Sequence, residues 1–203
     1  MRMIWQGLAV SLLMGTGAQA GALSDAIFAP GAFAATDPAV VTRYDHERSG
    51  PEGPGFRPVA EGALVITPGL VEGKPQLVLT HEDAGRTAPV AAFPASAGDP
   101  VLLYFLENTV RSMAALTGGS PFYIRNRMRD ALVQAETAVG EGPVVAEVKP
   151  FSEDPNREKM GAFADLVLRF ELTPGAAVPL SLLSADTTAA GGAYRETLTL
   201  EGS

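Results

Sequence analysis

The chain contains no cysteine among its 203 residues. A disulfide framework, a thiolate metal ligand and a thiol nucleophile are therefore excluded, and stability has to come from a buried core. Lysine is scarce, and the formal net charge is −8. This balance argues against nucleic acid and anionic lipid as partners, because both are bound by clusters of Lys and Arg that neutralise phosphates.

Long apolar runs are also missing, except near the start of the chain. Arg2 supplies a positive charge, Gly7 to Ala18 are apolar or small, and Ala18-Gln19-Ala20 fits a cleavage site. This layout predicts a secretory signal peptide over residues 1–20, because the run is too short for a comfortable membrane span. With the Ala, Gly, Pro and Arg bias, it predicts a bacterial periplasmic or secreted protein with no transmembrane segment after cleavage.

The sequence lacks a phosphate-binding glycine loop, a dinucleotide fingerprint and a calcium loop. Ser120 follows two glycines but precedes Pro121-Phe122, so it does not fit the G-x-S-x-G motif of a catalytic serine. The segment SEDPNREK (152–159) is interpreted as a solvated turn. These absences favour a protein that is not an enzyme and has no cofactor, although catalytic residues scattered along a chain leave no such motif.

Two helices are predicted in the middle of the chain. Asp99-Pro100 and Ser120-Pro121 each combine an N-cap residue with a proline at the first helical position. The first helix ends at Gly118 and the second near Ala138, and a Gly-Gly turn joins them into an αα-hairpin.

Short aliphatic or alternating runs on both sides of this hairpin predict strands. Pro89 is expected to place its strand at an edge of the sheet, because proline cannot donate a ladder hydrogen bond. The predicted strands are 40–48, 63–68, 76–81, 87–93, 143–151, 164–172, 178–187 and 193–201, with a hairpin turn at 188–192.

The order strands–helix–helix–strands predicts an α+β fold. We expect an antiparallel sheet of about seven or eight strands, curved and packed on the central αα-hairpin. Residues 21–39 mix Ala, Gly and Pro without a period and are interpreted as a flexible N-terminal arm. Residues 40–203 are then one domain.

An anion site is one hypothesis for the start of the second helix. Free backbone N–H groups there attract anions, and arginines nearby add positive charge. At about 100° per residue the arginines divide, so that Arg125 and Arg129 share one side of the apolar stripe and Arg127 flanks the other. The alternative is an ordinary capped helix with exposed arginines. The predicted anion-binding residues are Ser120, Tyr123, Arg125 and Arg129.

The two histidines, His46 and His81, both lie among carboxylates and suggest a metal site. If their strands were neighbours, the imidazoles and nearby acids would suit zinc or another divalent ion. Their spacing matches no known metal signature, however. His46 would point away from Asp45 and Glu47 on a strand, and His81 is expected at an exposed turn.

The sequence therefore leaves three functions open. The leading hypothesis is a non-catalytic periplasmic protein that binds a small hydrophobic ligand or an envelope protein partner, since the first helix is apolar over a wide arc. The first alternative is a metal-dependent hydrolase that uses His46, His81 and nearby carboxylates. The second is a structural or accessory subunit of an envelope complex.

Overall fold

The computed structural model contains one large antiparallel sheet and a pair of helices. Along the chain, the two helices follow the first four strands of this sheet and precede the last four. The structure describes residues 21–30, 41–187 and 193–202. The predicted signal peptide (1–20), the predicted turn at 188–192 and residues 31–39 of the predicted arm lie outside the described residues.

Ten strands, three α-helices and two short 3-10 helices are formed by the described residues. In chain order the strands and α-helices are β1 (Gly21–Ala22), α1 (Leu23–Ile27), β2 (Thr42–Ser49), β3 (Val59–Val71), β4 (Lys74–Asp83), β5 (Arg86–Pro94), α2 (Pro100–Thr117), α3 (Pro121–Val133), β6 (Ala138–Val139), β7 (Val144–Val148), β8 (Val167–Leu172), β9 (Leu180–Asp186) and β10 (Arg195–Leu200). The 3-10 helices are Arg157–Lys159 and Gly161–Asp165.

Two four-stranded meanders make up the sheet, in the order β5-β4-β3-β2-β10-β9-β8-β7. They are joined by antiparallel pairing of β2 with β10, which sets Leu198 opposite His46 and Leu200 opposite Tyr44. The eight predicted strands and the order strands–helix–helix–strands are therefore confirmed, and the fold is α+β.

The strands bury alternate residues against the helices, as their sequence pattern predicts. In β8, Leu168, Phe170 and Leu172 are buried. Arg169 and Glu171 lie on the opposite face, where they form an ion pair of 2.6 Å. This face is half-exposed, which explains why one strand carries both core residues and charges.

The prediction for Pro89 is confirmed, because β5 is an edge strand of the sheet. Pro89 lies opposite Thr80, next to a register shift at which Leu79 pairs with Ala91. The bulge and the proline together interrupt the free edge, which is a common protection against pairing with other chains.

Helix α2 matches its predicted bounds. The Asp99 side chain accepts the backbone N–H groups of Val101 and Leu102, and Gly118 ends the helix with a φ of 69°. This left-handed conformation suits glycine, which carries no Cβ. No helix of the described residues is long and apolar enough to cross a membrane.

The predicted end of α3 is wrong, because the helix ends at Val133 rather than near Ala138. Ala138 and Val139 instead form β6, which pairs with β1. A strand partner more than a hundred residues away in sequence therefore overrides the local helical preference of the segment, and local pattern does not reveal such a partner.

Part of the predicted flexible arm is ordered. Residues 21–27 form β1 and α1, and the side chains of Leu23 and Ile27 are buried in the core. Phe28 packs against the same core. Burial of a few apolar side chains stabilises this part of the segment, whose composition alone looks irregular. The flexibility of the arm stays a prediction.

Asp99 is expected to make stability depend on pH. Its Oδ1 accepts two backbone N–H groups, but its Oδ2 is buried without a partner. Burial raises the pKa of Asp99 to about 6, against the opposing effect of the hydrogen bonds from Leu102 and Val101. The folded protein therefore binds this proton more tightly than the unfolded chain, and the associated stability is lost as the pH rises from about 4 to 6.

The free energy of unfolding of wild type minus that of Asp99→Asn should consequently fall by about 2 kcal/mol from pH 4 to pH 7, at about 1.4 kcal/mol per pKa unit. Asparagine keeps an acceptor oxygen and does not titrate. Urea unfolding followed by circular dichroism measures the difference, with the exposed Asp45→Asn as the control. A difference that stays constant over this pH range would show that Asp99 has an ordinary pKa.

Candidate functional site

The arginines of α3 are all paired with carboxylates. Arg125 binds Glu107 of α2 through two guanidinium nitrogens, at 2.9–3.1 Å. Arg129 binds Asp130 at 2.9 Å. Both pairs are largely exposed, so each contributes little and can be exchanged for another anion at small cost.

Arg127 points to the opposite side of α3, as the helical wheel predicts, and binds Asp154 at 2.7 Å. Asp154 also accepts the phenol of Tyr123 at 2.9 Å and the backbone N–H of Asn156 at 2.7 Å. The Nδ2 of Asn156 donates to the Tyr123 hydroxyl at 3.0 Å. The four side chains therefore fix the turn at 154–156 against α3.

Desolvation would raise the pKa of Asp154, but the hydrogen bonds from Asn156, Tyr123 and Arg127 outweigh it and lower the pKa below its ordinary value. Asp154 thus stays ionised at neutral pH. The interpretation of residues 152–159 as a solvated turn is wrong for this residue, which is buried. Most of its neighbours in the segment are exposed, so only its partners on α3 explain the burial.

A cavity of about 310 Å³ lies beside this network, between α2, α3 and the 3-10 helix at 157–159. We call it the Tyr123 cavity. Its apolar wall contains Met113, Ile124 and Met160, and its remaining lining is Thr117, Gly119, Ser120, Tyr123, Asn156 and Lys159. The cavity therefore combines an apolar wall with a few polar groups at fixed positions, as ligand pockets usually do.

A second, smaller cavity of about 190 Å³ lies on the other side of α3. We call it the Arg125 groove. Its lining is Phe28, Leu103, Leu106, Glu107, Val110, Arg125, Met128, Arg129 and Leu132. The four residues of the predicted anion site are thus divided, with Ser120 and Tyr123 in the Tyr123 cavity and Arg125 and Arg129 in the groove. Anion binding by either pair stays a prediction.

Lys159 is the cation that the sequence analysis did not consider. Its ammonium has no ion-pair or hydrogen-bond partner among the described residues. The arginines of α3, by contrast, each face a carboxylate. Around the Tyr123 cavity, the unpaired positive charge is therefore on Lys159.

The structure brings the two histidines together. His46 Nδ1 and His81 Nε2 are 2.8 Å apart, which is hydrogen-bond distance. Both project from the face of the sheet that carries α2, and the ring of Tyr104 on α2 stacks on His81 at 6.1 Å. His46 is fully buried and His81 is half-buried in β4, so the prediction of an exposed turn for His81 is wrong.

Gly62 lies on β3, the strand between the two strands that carry the histidines. It stands opposite His46 on one side and Asp83 on the other. A Cβ added to Gly62 would lie 2.5 Å from Val59 Cγ1 and 3.1 Å from the Glu82 carbonyl oxygen. The absence of a side chain here therefore keeps Val59 and the neighbouring backbone close to β3.

The histidine pair continues into a buried carboxylate. Glu196 Oε1 lies 3.0 Å from His46 Nε2 and 3.7 Å from the Arg48 guanidinium. The phenol of Tyr194 donates to Glu196 Oε2 at 2.5 Å. Glu196, Tyr194 and His46 are all fully buried. We call the series His81–His46–Glu196–Tyr194 the histidine chain.

The donors and acceptors of the histidine chain follow from its chemistry. A carboxylate at Glu196 accepts from His46 Nε2 and from the phenol of Tyr194. The donor in the contact between His46 Nδ1 and His81 Nε2 is set by the tautomers of the two rings. Burial, together with the nearby His46 and Arg48, lowers the pKa of His81, so this residue is neutral at pH 7.

Burial also raises the pKa of Tyr194 well above its ordinary value, and the charge of Glu196 adds to the effect. Tyr194 therefore remains a hydrogen-bond donor to Glu196 at all physiological pH values. The histidine chain therefore has a neutral phenol at its buried end.

A metal at His46 and His81 stays a prediction. In the described residues, no three His, Cys, Asp or Glu side chains are grouped so that they could hold a metal ion. Both nitrogens of His46 already have protein partners. Metal binding by both imidazoles would require the 2.8 Å contact between them to open.

Sequence reasoning missed Glu196 and Tyr194, although a signal for Glu196 is present. In β10, Glu196 alternates in phase with Leu198, a core residue, so strand periodicity places its carboxylate on the buried face. A carboxylate at such a position needs a buried partner, and His46 is in phase with buried Tyr44 in β2. The pairing of β2 with β10 could not be read from either segment alone.

A scan against protein-family models finds no family that matches this chain, and a search of curated proteins finds no significant match. The geometry of the two cavities and of the histidine chain is therefore the basis for inferring function.

Proposed function

We propose that this protein is a non-catalytic binding protein that holds a small amphipathic anion in the Tyr123 cavity. As the signal-peptide prediction implies, it would do so in the periplasm. The observation that carries the proposal is an apolar wall facing the unpaired ammonium of Lys159 in one cavity of about 310 Å³. This volume is at the lower end of the range for small-molecule sites, about 300–1,000 Å³.

The apolar wall favours a ligand with a short alkyl or aromatic body. Two of its three members, Met113 and Met160, have flexible side chains that adapt to different apolar shapes. Both methionines are buried and belong to the hydrophobic core, so core packing holds the apolar wall of the cavity in place.

The polar side of the cavity favours a negative charge on the ligand. Lys159 is free to pair, and the positive end of the α3 helix dipole lies at Ser120, in the cavity lining. The carboxylate of Asp154 is not available to repel the ligand strongly, because Arg127 neutralises it. Tyr123 is held by Asp154 and Asn156, so its ring is positioned before any ligand arrives.

Helix α2 contributes to this site without leaving the core. Leu102 and Phe105 are buried on its sheet side, whereas Met113 and Thr117, near its C-terminal end, reach the Tyr123 cavity. Helix α2 therefore packs in the core and lines a pocket at the same time.

The methionines provide a direct test by NMR of protein labelled with 13C at the methionine methyl groups. Met113 and Met160 line the Tyr123 cavity and Met128 lines the Arg125 groove, so each reports on one cavity. We expect hexanesulfonate to shift the Met113 and Met160 resonances at millimolar concentration. Hexanol and hexyltrimethylammonium should bind more weakly.

Lys159→Gln should weaken hexanesulfonate binding about fivefold, which corresponds to the loss of roughly 1 kcal/mol from an exposed ion pair. The matched control is Lys149→Gln, which removes the same charge from an exposed position outside the cavity. A shift of Met128 alone would place the ligand in the Arg125 groove and contradict the proposed site. No shift of any of these methyl groups with all three probes would contradict the proposed function.

A further inference from the structure

The hydrogen bonds of Tyr123 determine which way the side-chain amide of Asn156 is turned. Asp154 is ionised at neutral pH, because its pKa is lowered and Arg127 binds it at 2.7 Å. An ionised carboxylate only accepts hydrogen bonds, so the single phenol proton of Tyr123 is donated to Asp154 at 2.9 Å. Toward Asn156, the phenol oxygen therefore acts as an acceptor.

The amide of Asn156 consequently has one orientation. Its Nδ2 has to be the atom that lies 3.0 Å from the Tyr123 hydroxyl, because an amide oxygen there would face another acceptor. Oδ1 is then on the other side of the amide group, where it has no hydrogen-bond partner among the described residues. Asn156 is half-buried in the lining of the Tyr123 cavity, so this lining includes an amide oxygen that is free to accept a hydrogen bond.

The 3-10 turn places Lys159 beside this amide. The backbone N–H of Lys159 donates to the carbonyl of Asn156 at 2.9 Å, which closes one turn. Residues three apart in a 3-10 helix eclipse each other, at a rise of about 6 Å along its axis. The two side chains therefore lie on the same side of the turn, and both line the Tyr123 cavity. Arg157, which lies between them in the sequence, is outside that lining and donates to the carbonyl of Ala164 at 2.6 Å.

The other polar side chains of the lining are already hydrogen-bonded. The Thr117 hydroxyl donates to the carbonyl of Met113 at 2.7 Å and accepts the backbone N–H of Gly119 at 3.1 Å. Ser120 accepts the backbone N–H of Tyr123 as the N-cap of α3. In this described lining, the groups left without any partner are therefore one ammonium, which attracts an anion, and one amide oxygen, which accepts from a donor.

We propose that the Tyr123 cavity binds the anion of a short aliphatic hydroxy acid, whose carboxylate pairs with Lys159 and whose hydroxyl donates to Asn156 Oδ1. A hydroxyl suits this oxygen better than a ligand ammonium does, because the charge of Lys159 repels a second positive charge nearby. The apolar wall takes the alkyl chain. The inference rests on the proposed function, since it names the class of anion for the same cavity.

The first experiment measures the affinities of wild type for three carboxylates at pH 7.5, with the Met113 and Met160 methyl resonances as readout. All three probes are ionised there, because carboxyl groups have a pKa of about 4. 2-Hydroxyhexanoate should bind about fivefold more tightly than hexanoate, which lacks the hydroxyl, or 2-methoxyhexanoate, which lacks only its proton. Binding of 2-hydroxyhexanoate that is no tighter than that of the other two would overturn the inference.

The second experiment tests the assignment to Asn156. Asn156→Ala removes the acceptor and should bind hexanoate and 2-hydroxyhexanoate equally well. The ratio of the two affinities distinguishes recognition from a structural role, because a general loosening of the turn weakens both probes alike. Asn126→Ala makes the same substitution on α3 outside the cavity lining, and it should keep the wild-type ratio. A wild-type ratio in Asn156→Ala would show that this oxygen does not bind the hydroxyl.

The results separate this inference from the proposed function. If hexanesulfonate and hexanoate shift the Met113 and Met160 resonances but the hydroxyl gives no advantage, the hydroxy-acid inference is wrong and the proposed function stands. If none of the anionic probes shifts these resonances, both are wrong.

Discussion

Replacing Glu196 by alanine should lower the free energy of unfolding by about 3–5 kcal/mol, the usual cost of removing one partner from a buried charged pair. The imidazole of His46 and the phenol of Tyr194 lose their hydrogen-bond acceptor, and the guanidinium of Arg48 loses an ion-pair partner. The first two are fully buried and cannot turn to water. Urea unfolding at pH 7.5, followed by far-UV circular dichroism, measures the loss.

Glu47→Ala is the matched control, since Glu47 also belongs to the β2–β10 pair but is exposed. Its effect should stay within about 0.5 kcal/mol. Glu196→Gln should cost less than Glu196→Ala, because the amide oxygen still accepts one hydrogen bond and its NH2 group can donate to His46 in the other tautomer. A loss below about 1 kcal/mol for Glu196→Ala would mean that the buried partners find other acceptors.

The second large effect is expected for Phe105→Ala, at about 3–5 kcal/mol. Phe105 is fully buried on the sheet side of α2 and packs edge-to-face on Phe170 of β8, with ring centroids 6.1 Å apart. The substitution leaves a cavity between the helical hairpin and the sheet, where the strands are too well packed to close it.

Phe122→Ala removes the same ring from α3, where 70% of the side chain is exposed, and should leave stability nearly unchanged. A double-mutant cycle with Phe170→Ala isolates the contact between the two rings, which should amount to about 0.5–1.5 kcal/mol. If Phe105→Ala and Phe122→Ala had equal effects, α2 would not be packed on β8 as the structure shows.

Local sequence signals predicted most of the fold because each signal lies within or directly beside the helix or strand that it specifies. Asp99 and Gly118 set the ends of α2 through contacts within one helical turn. The alternation in β8 likewise depends on six consecutive residues. Neither inference needs any knowledge of distant segments, and both are confirmed.

The elements that the sequence analysis missed depend instead on contacts between segments that are distant in the sequence. β6 and α1 form because they pack on segments far away in the sequence, and the composition of residues 21–27 gives no sign of those partners. The histidine chain is the same kind of feature, since His46 and Glu196 are 150 residues apart. Residue type suggested a site at the histidines, but only the order of strands shows which carboxylate completes it.

The pairing of β2 with β10 has a further consequence for how the protein forms. These are the first and last strands of the sheet along the chain, yet they are neighbours in its middle. A contact of such high sequence separation is slow to form, because the intervening chain must lose much of its freedom first. As the protein folds, the first meander has an unpaired edge at β2 until β10 joins it. His46 and the apolar residues beside it remain uncovered on that side for that time, and an unpaired strand edge of this kind is prone to aggregation.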